Sequence, residues 1–185
     1  MLGSYLARLS SVSLRSAGRK RLGILDEVRL PLRIWPTDID VYLHVNNGRY
    51  LTLMDFGRLV HTVRTGLLPV MLRRRWIPVL GSATVNFWRE LRTFERVELV
   101  TRLVHWDDRW FYYEHRFEKG GEAYALGLVK GIIKHGRQTI APAVLMQAMG
   151  HSGEPPPPGD YLRQWMSAQP ERPRRRVDSA GGRPG

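Results

Sequence analysis

The chain has 185 residues, of which 43% are hydrophobic and 25% charged, a composition that suits one globular domain with extensions at its ends. It contains no cysteine, which excludes disulfides, thiolate metal ligands and a cysteine nucleophile. No stretch approaches the roughly eighteen uninterrupted apolar residues of a membrane helix, so we expect no membrane span. The formal net charge of +12 indicates attraction to polyanions, including phosphorylated ligands.

Much of the positive charge lies at the two ends of the chain. Residues 1–25 carry five basic side chains and no acid, and residues 160–185 carry six arginines against three acids. We predict a basic N-terminal extension (1–25), a domain (26–150), and a linker and tail rich in Pro, Arg and Gly (151–185). We expect a cytoplasmic protein, or a mitochondrial one if the source is eukaryotic and the extension is a presequence.

The first two predicted elements are a strand and a long helix. Apolar and polar residues alternate from Val28 to Ile34, and Pro31 within this strand favours an edge position in a sheet. A helix of about twenty residues then begins at Asn46 or Asn47, which are good N-caps, and ends at Gly66. Its buried face is predicted from apolar residues three and four positions apart: Tyr50, Leu53, Met54, Phe56, Val60, Val63 and Leu67.

The remainder of the domain is predicted to be mainly strands. Leu68 to Trp76, with three arginines, is interpreted as a basic connector. Four strands follow, within residues 79–91, 94–106, 109–118 and 123–134. Small residues in the last strand, including Gly127, predict the close approach of a bulky group. One helix followed by antiparallel strands predicts an α+β fold in which the sheet curls round the helix.

Polar side chains gather immediately before the helix, in the segment DIDVYLHVNNGRY that starts at Asp38. This segment, with the helix behind it and SATVNFWREL downstream, resembles the hotdog-fold thioesterases of the 4-hydroxybenzoyl-CoA thioesterase type, over about residues 27–134. The resemblance is strongest to the branch that includes the mammalian thioesterase superfamily members. It implies an antiparallel sheet wrapped around one long central helix, and hydrolysis of an acyl-CoA or acyl-carrier-protein thioester. It also implies a homodimer or a dimer of dimers, with active sites at the dimer interface.

The same resemblance implies roles for individual residues. Asp40 corresponds to the catalytic carboxylate and His44 to a catalytic histidine of the plant acyl-carrier-protein thioesterases. The chain departs from that branch at Tyr42, where the plant enzymes have a catalytic asparagine, and from a bacterial branch at Asn47, where those enzymes have a histidine. We predict Asp40, His44 and Asn47 as catalytic residues, with coenzyme A as part of the substrate and no separate cofactor.

Thioester hydrolysis also needs donors for the developing oxyanion, and a helix start supplies them. Asp40 can attack the thioester directly or activate water. The first backbone N–H groups of a helix have no intrahelical partner, so we predict oxyanion or substrate-positioning roles for Asn46, Gly48 and Arg49. Thr84 and Asn86, on one face of a predicted strand, are candidate substrate contacts.

Structural readings of the same residues stay open. Asp38 and Asp40 can serve as turn or capping residues, and His44 can be a packed histidine. Asn46 and Asn47 can be helix caps and nothing more. Thr84 and Asn86 can be ordinary sheet residues. The incomplete match to either relative motivates an alternative, a non-hydrolytic acyl-CoA-binding protein. Nucleic-acid binding is disfavoured because the aromatic residues lie in strand patterns apart from the basic ends. The other histidines have no ligand spacing, so we predict no metal site.

Overall fold

The structure is a computed structural model that describes residues 21–169. These residues contain six β-strands: β1 (Val28–Arg33), β2 (Ile77–Phe87), β3 (Arg96–Trp106), β4 (Phe111–Lys119), β5 (Glu122–His135) and β6 (Gln138–Ile140). They also contain four α-helices: α1 (Asn47–Arg64), α2 (Leu67–Arg74), α3 (Pro142–Ala148) and α4 (Asp160–Ser167). A 3₁₀ turn, Pro36–Asp38, separates β1 from the segment that leads into α1.

The strands form one antiparallel sheet in the order β1-β3-β4-β5-β2, with β6 paired to the end of β5. Hairpins join β3 to β4 and β4 to β5, because short turns allow neighbouring antiparallel strands to pair. β1 and β2 lie at the two ends of this order. The edge position predicted for the proline-containing strand is therefore confirmed.

Helix α1 packs its apolar face on one side of the sheet. Tyr50, Leu53, Met54, Phe56 and Val60 are buried there, in one cluster with residues of β1, β3, β4 and β5. Gly127 of β5 lies under Met54: a Cβ at this glycine would be 2.1 Å from the methionine methyl group. The predicted close approach is thus confirmed, as are the α+β class and the hotdog arrangement of a sheet wrapped around a central helix.

The ends of α1 match their predicted sequence signals. The Asn46 side chain accepts a hydrogen bond from the Gly48 N–H, 3.0 Å, which makes Asn46 the N-cap. Gly66 follows the C-terminal cap with φ 76°, a left-handed conformation that glycine adopts without steric cost. The chain changes direction at this glycine and enters α2.

Three short helices were not predicted, among them α3, which buries Pro142, Leu145 and Met146. The connector was predicted at residues 68–76, and Leu67 was assigned to the buried face of α1. Instead, Leu67–Arg74 form α2, because Leu67, Val70 and Met71 recur at helical spacing and are buried beside the sheet. Helix α4 follows the proline-rich segment, and its Leu162 is buried against Tyr112 and Leu128 on the outer face of the sheet, opposite α1. The predicted strands are confirmed, with ends that differ by at most four residues, and the short β6 was not predicted.

Most of the predicted N-terminal extension, residues 1–20, and the predicted tail, residues 170–185, lie outside the described residues. The boundaries drawn at residues 25 and 150 stay predictions. Within residues 21–169, no helix has the length and apolar character needed to cross a membrane.

Candidate functional site

A short loop between the 3₁₀ turn and α1 carries the polar motif; we call residues 39–45 the approach loop. Its base is closed by an isolated antiparallel bridge between Ile39 and Val45. The Asp40 N–H donates to the His44 carbonyl oxygen, 3.1 Å, and the Val45 N–H donates to the Leu91 carbonyl, 2.9 Å. Asp40 and His44 therefore face each other across the neck of the loop, immediately before the helix.

The tip of the approach loop is apolar and exposed. Val41, Tyr42 and Leu43 have exposed fractions of 87%, 77% and 76%. Leu43 has φ 61°, the left-handed region, which is unfavourable for a residue with a Cβ. The loop thus holds three exposed apolar side chains, one of them on a strained backbone, beside the candidate carboxylate.

Asp40 organises the loop with its side chain. Its Oδ1 accepts a hydrogen bond from the Tyr42 N–H, 2.9 Å, the pattern of an Asx turn. Its Oδ2 accepts a long hydrogen bond, 3.5 Å, from the Asn46 side-chain amide. The structure therefore shows the turn role directly. The carboxylate is still partly exposed, and its Oδ2 contacts Asn46, the N-cap residue of α1.

His44 lies beside Asp40 without a hydrogen bond of ordinary length between the side chains. Its Nδ1 is 3.8 Å from Asp40 Oδ1 and 3.4 Å from the Val45 carbonyl oxygen. The imidazole stacks on the Tyr42 ring at a centroid distance of 6.0 Å, and a third of the side chain is exposed. The imidazole is therefore partly accessible and lies beside the carboxylate.

The first amide groups of α1 are not equally available. The Gly48 N–H donates to the Asn46 side chain, and the Arg49 N–H donates to the Asn46 carbonyl oxygen, 2.8 Å. Within the described residues, the Asn47 N–H has no hydrogen-bond partner, and the Asn47 side chain is exposed. The backbone amides of the three residues predicted for oxyanion or substrate-positioning roles, Asn46, Gly48 and Arg49, are thus engaged within the fold. The amide left for a ligand is that of Asn47, which was predicted as a catalytic residue.

The structure adds an ion pair to the site that the sequence analysis did not predict. Arg49 Nε donates to Asp38 Oδ1 at 2.7 Å, and the Asp38 carboxylate is fully buried. A buried aspartate eleven residues from an arginine has no local sequence signature, because the two side chains meet through the fold of the loop between them. Asp38 and Asp40 are two positions apart, and the sequence does not show that Asp38 is buried while Asp40 is accessible.

Thr84 and Asn86 lie on the opposite face of the sheet from α1 in the same chain. Their neighbours Ala83 and Val85 pack against the α1 cluster, so side chains one position away point outward. Asn86 donates a hydrogen bond to the Tyr161 hydroxyl of α4. The structure thus does not bring these two residues together with Asp40, and their substrate contacts stay a prediction.

A second set of polar side chains is buried along α1, remote from the approach loop. His115 of β4 contacts Arg58, 3.0 Å, and Thr101, 2.9 Å, and His61 contacts the Tyr113 hydroxyl, 3.3 Å. Burial lowers the pKa of His61 to about 4, and burial beside the Arg58 cation lowers the pKa of His115. Both imidazoles are neutral at pH 7 and act as internal hydrogen-bonding groups.

The described residues contain no cluster of three or more His, Cys, Asp or Glu side chains that could hold a metal ion. The approach loop offers a partly exposed carboxylate and an adjacent imidazole, and the start of α1 offers the Asn47 amide, which has no partner in the described part of the chain. Such a set can bind a polarised carbonyl group and accept a proton next to it.

Comparison with known proteins identifies the family of this chain. Residues 34–165 match the model of the thioesterase-like superfamily. The chain is 42% identical over 84 residues to Protein THEM6 of Xenopus laevis, covering 45% of this chain and 41% of that protein. It is 31% identical over 119 residues to the probable thioesterase YBR096W of Saccharomyces cerevisiae, covering 62% of this chain and 51% of that protein. The matches therefore span about half the length of these relatives.

Among solved structures, the DHNA-CoA thioesterase of Staphylococcus aureus has a similar fold, with a TM-score of 0.59 and 16% sequence identity. That match covers 76% of this chain and 87% of the other. The probable thioesterase YbaW of Escherichia coli gives a TM-score of 0.60 at 17% identity, over 65% of this chain and 95% of that one. These likenesses support the hotdog fold. Because the superfamily model matches more than half of its residues, this chain belongs to the thioesterase-like superfamily.

Proposed function

We propose that this protein hydrolyses an acyl thioester of coenzyme A or of an acyl carrier protein to a free acid and a thiol. The observation that carries the proposal is the contact of the partly exposed Asp40 carboxylate with Asn46, the N-cap of α1, next to the Asn47 N–H, which has no partner among residues 21–169. The names of relatives support the reaction class: one is a probable thioesterase, and a structural neighbour is a CoA thioesterase.

The proposed reaction begins with water held by Asp40 at the carbonyl carbon of the thioester. As the water oxygen forms its bond to that carbon, Asp40 takes the proton. The carbonyl oxygen becomes negative and is stabilised by the Asn47 N–H and by the positive end of the helix dipole. The carbon–sulfur bond then breaks, the thiolate takes the proton, and the acid leaves. No separate cofactor is needed, because coenzyme A leaves as the thiol.

His44 has a supporting place in this proposal. Its imidazole is partly exposed next to Asp40, so it can donate a hydrogen bond to the leaving sulfur or orient the attacking water. Asn46 supports the site differently, because its side chain joins the Asp40 carboxylate to the Gly48 amide. Replacing Asn46 is therefore expected to disturb both the cap and the carboxylate.

We also propose that the protein acts as a homodimer joined through β2, with dimers of dimers as a further assembly. β2 is an eleven-residue strand at the end of the sheet, and edge strands of this length tend to pair with another chain. Ile77 and Leu80 on this strand are more than half exposed, as is Trp88 just beyond it. Apolar exposure of this extent at a sheet edge favours a partner.

The test of the function is a thiol-release assay over short, long and aromatic acyl-CoA substrates. Asp40→Asn is expected to lower kcat by about 1000-fold, because the amide cannot accept the proton, while the Asx turn retains its oxygen acceptor. Asp55→Asn, an exposed carboxylate on α1 away from the loop, is the matched control and is expected to retain activity. Full activity of Asp40→Asn would contradict the proposal.

The second candidate is an acyl-CoA-binding protein without hydrolysis. It is favoured by the hydrogen bonds that already engage both Asp40 oxygens and by the occupied amides of Gly48 and Arg49. Titration calorimetry distinguishes the two functions. Tight binding of an intact acyl-CoA, with no thiol released over hours, would select the binding protein.

A further inference from the structure

The buried Asp38–Arg49 pair stands directly beside the candidate site. The Asp38 side chain has no exposed surface, and Arg49 is 17% exposed. Asp38 Oδ1 accepts from Arg49 Nε at 2.7 Å, and Oδ2 accepts from the Trp35 N–H at 2.9 Å. A carboxylate buried this completely is strongly unfavourable without such partners. The pair is therefore a built feature of the fold.

The two residues stand on either side of the approach loop. Asp38 ends the 3₁₀ turn that precedes the loop, and Arg49 lies in the first turn of α1 that follows it. The Asp38 carbonyl oxygen also accepts the Asn46 N–H, 3.0 Å. The side-chain pair and this backbone bond together fasten the base of the loop to the helix.

The helix by itself does not favour an arginine at position 49. A cation in the first helical turn is opposed by the positive end of the helix dipole, and this turn of α1 contains no acid. Asp38 supplies the negative charge from outside the helix. The ion pair with Asp38 is therefore sufficient to explain why an arginine occupies this position, and no contact between Arg49 and a substrate is needed.

We infer that Asp38 and Arg49 are a positioning pair, which holds the approach loop so that the Asp40 carboxylate stays beside the Asn46 side chain and the Asn47 amide. The inference rests on the proposed thioesterase function and deepens it. Neither residue touches the reacting atoms; both act through Asp40. Displacement of a reacting group by about 1 Å can lower a rate about 100-fold, so loosening this pair would be felt in catalysis.

Kinetics of four variants test the inference: Asp38→Asn, Arg49→Gln, Arg49→Lys and the double variant Asp38→Asn/Arg49→Gln. Each single variant is expected to lower kcat by about 10- to 100-fold, with KM changed less than threefold. The pH profile of kcat/KM should keep its midpoints, because the reacting groups are unchanged. The kcat of the double variant should fall no further than that of the worse single variant, since Asp38→Asn and Arg49→Gln each remove the same ion pair.

Hydrogen exchange followed by mass spectrometry supplies a readout that does not need activity. Peptides covering residues 38–48 should exchange at least tenfold faster in Arg49→Gln than in the wild type, while peptides of β3 to β5 should not change. Arg163→Gln breaks an exposed ion pair with Asp160 on α4 and serves as the matched control for both measurements. It should leave kinetics and exchange as in the wild type.

Unchanged exchange over residues 38–48, or faster exchange with an unchanged kcat, would overturn the inference. A raised KM at constant kcat would also overturn it, because it would make Arg49 a substrate-binding group. If β3 to β5 also exchange faster, Arg49→Lys replaces Arg49→Gln as the milder test. A wild type that hydrolyses no thioester would refute the proposed function, while the exchange result would still decide whether the pair holds the loop.

Discussion

Asp40 has a turn role that the structure shows and a catalytic role that we propose. One oxygen closes the turn at Tyr42, and the other contacts Asn46, the N-cap of α1. A sequence motif cannot separate these roles, because both need a short carboxylate at this position. The structure shows that they are compatible: the turn orients the carboxylate, and the hydrogen bonds limit the directions in which it can move.

Leu43 provides a test of backbone strain in the approach loop. Its φ of 61° costs a residue with a Cβ about 1 to 2 kcal/mol, and glycine avoids most of this cost. The larger entropy that glycine loses on folding offsets part of this gain. Leu43→Gly should therefore stabilise the protein by a net amount of about 0.5 to 1 kcal/mol, measured by urea unfolding. Val41→Gly, at an exposed position of the same loop without a positive φ, should destabilise it. A stability loss in Leu43→Gly would show that the exposed side chain contributes contacts.

His61 predicts how stability depends on pH. Burial lowers its pKa in the folded protein to about 4, below the ordinary histidine pKa of about 6.5, so between these values the unfolded chain binds a proton that the folded protein does not. This contribution is complete above about pH 7 and is lost as the pH falls toward 4. Between pH 7.5 and 5 the free energy of unfolding should fall by about 2 kcal/mol from this group, and further from His115.

Urea unfolding at pH 7.5, 6.5 and 5 checks this expectation. In His61→Phe the free energy of unfolding should depend less steeply on pH over that range, because this variant lacks the imidazole that takes up a proton on unfolding. His135→Phe, at an exposed position at the end of β5, should retain the wild-type slope. The window lies above the range in which most carboxylates titrate, so their protonation contributes little to the difference. Identical slopes in all three proteins would contradict the assignment.

At the scale of elements, the contact between α1 and β3 depends on Gly57. A Cβ at this glycine would lie 2.2 Å from Thr101 Oγ1 and 3.1 Å from a Leu99 methyl group. Thr101 is fully buried and bonded to His115, so it cannot easily move away. Gly57→Ala should therefore destabilise the protein by about 1 to 3 kcal/mol, although alanine favours a helix by about 1 kcal/mol.

A double-mutant cycle identifies the cause of this loss. Gly57→Ala combined with Thr101→Ala should cost less than the sum of the two single variants, because removing the hydroxyl opens the space that the new methyl group needs. The measurement is the free energy of unfolding in urea. Strict additivity would mean that the clash with Thr101 is not the source of the destabilisation.

The short helices show where pattern reading failed at this scale. In α2 the apolar residues Leu67, Val70 and Met71 have helical spacing, but the helix is short and runs into three consecutive arginines, a pattern that is also typical of a solvated connector. α4 has two turns, too few for a helix to be stable alone in water. Its Leu162 becomes buried only against Tyr112 and Leu128, which are far away in sequence.

At the scale of the whole molecule, the proposed dimer predicts a definite mass in solution. Light scattering after size exclusion should give twice the mass of one chain. Ile77→Lys/Val79→Lys places two charges on the exposed edge strand and should give the mass of one chain, because buried unpaired charges disfavour pairing. Val144→Lys, at an exposed apolar position on α3, is the control and should remain dimeric. A wild type with the mass of one chain would contradict the proposed assembly.

The sequence by itself determined the features that arise locally. The period of α1, its Asn46 cap, its Gly66 end and the alternation of the strands each depend on neighbours within a few positions, so they were predicted correctly. The motif before α1 also led to the family, because its residues are close together in the chain.

Tertiary structure alone decided which polar residues are buried and which remain accessible. Asp38 and Asp40 look alike in the sequence, but Asp38 meets Arg49 inside the fold while Asp40 stays partly exposed. Thr84 and Asn86 are placed away from α1 by the face that β2 presents to it. The physical reason is that burial and side-chain pairing depend on contacts between distant segments, which no local pattern specifies.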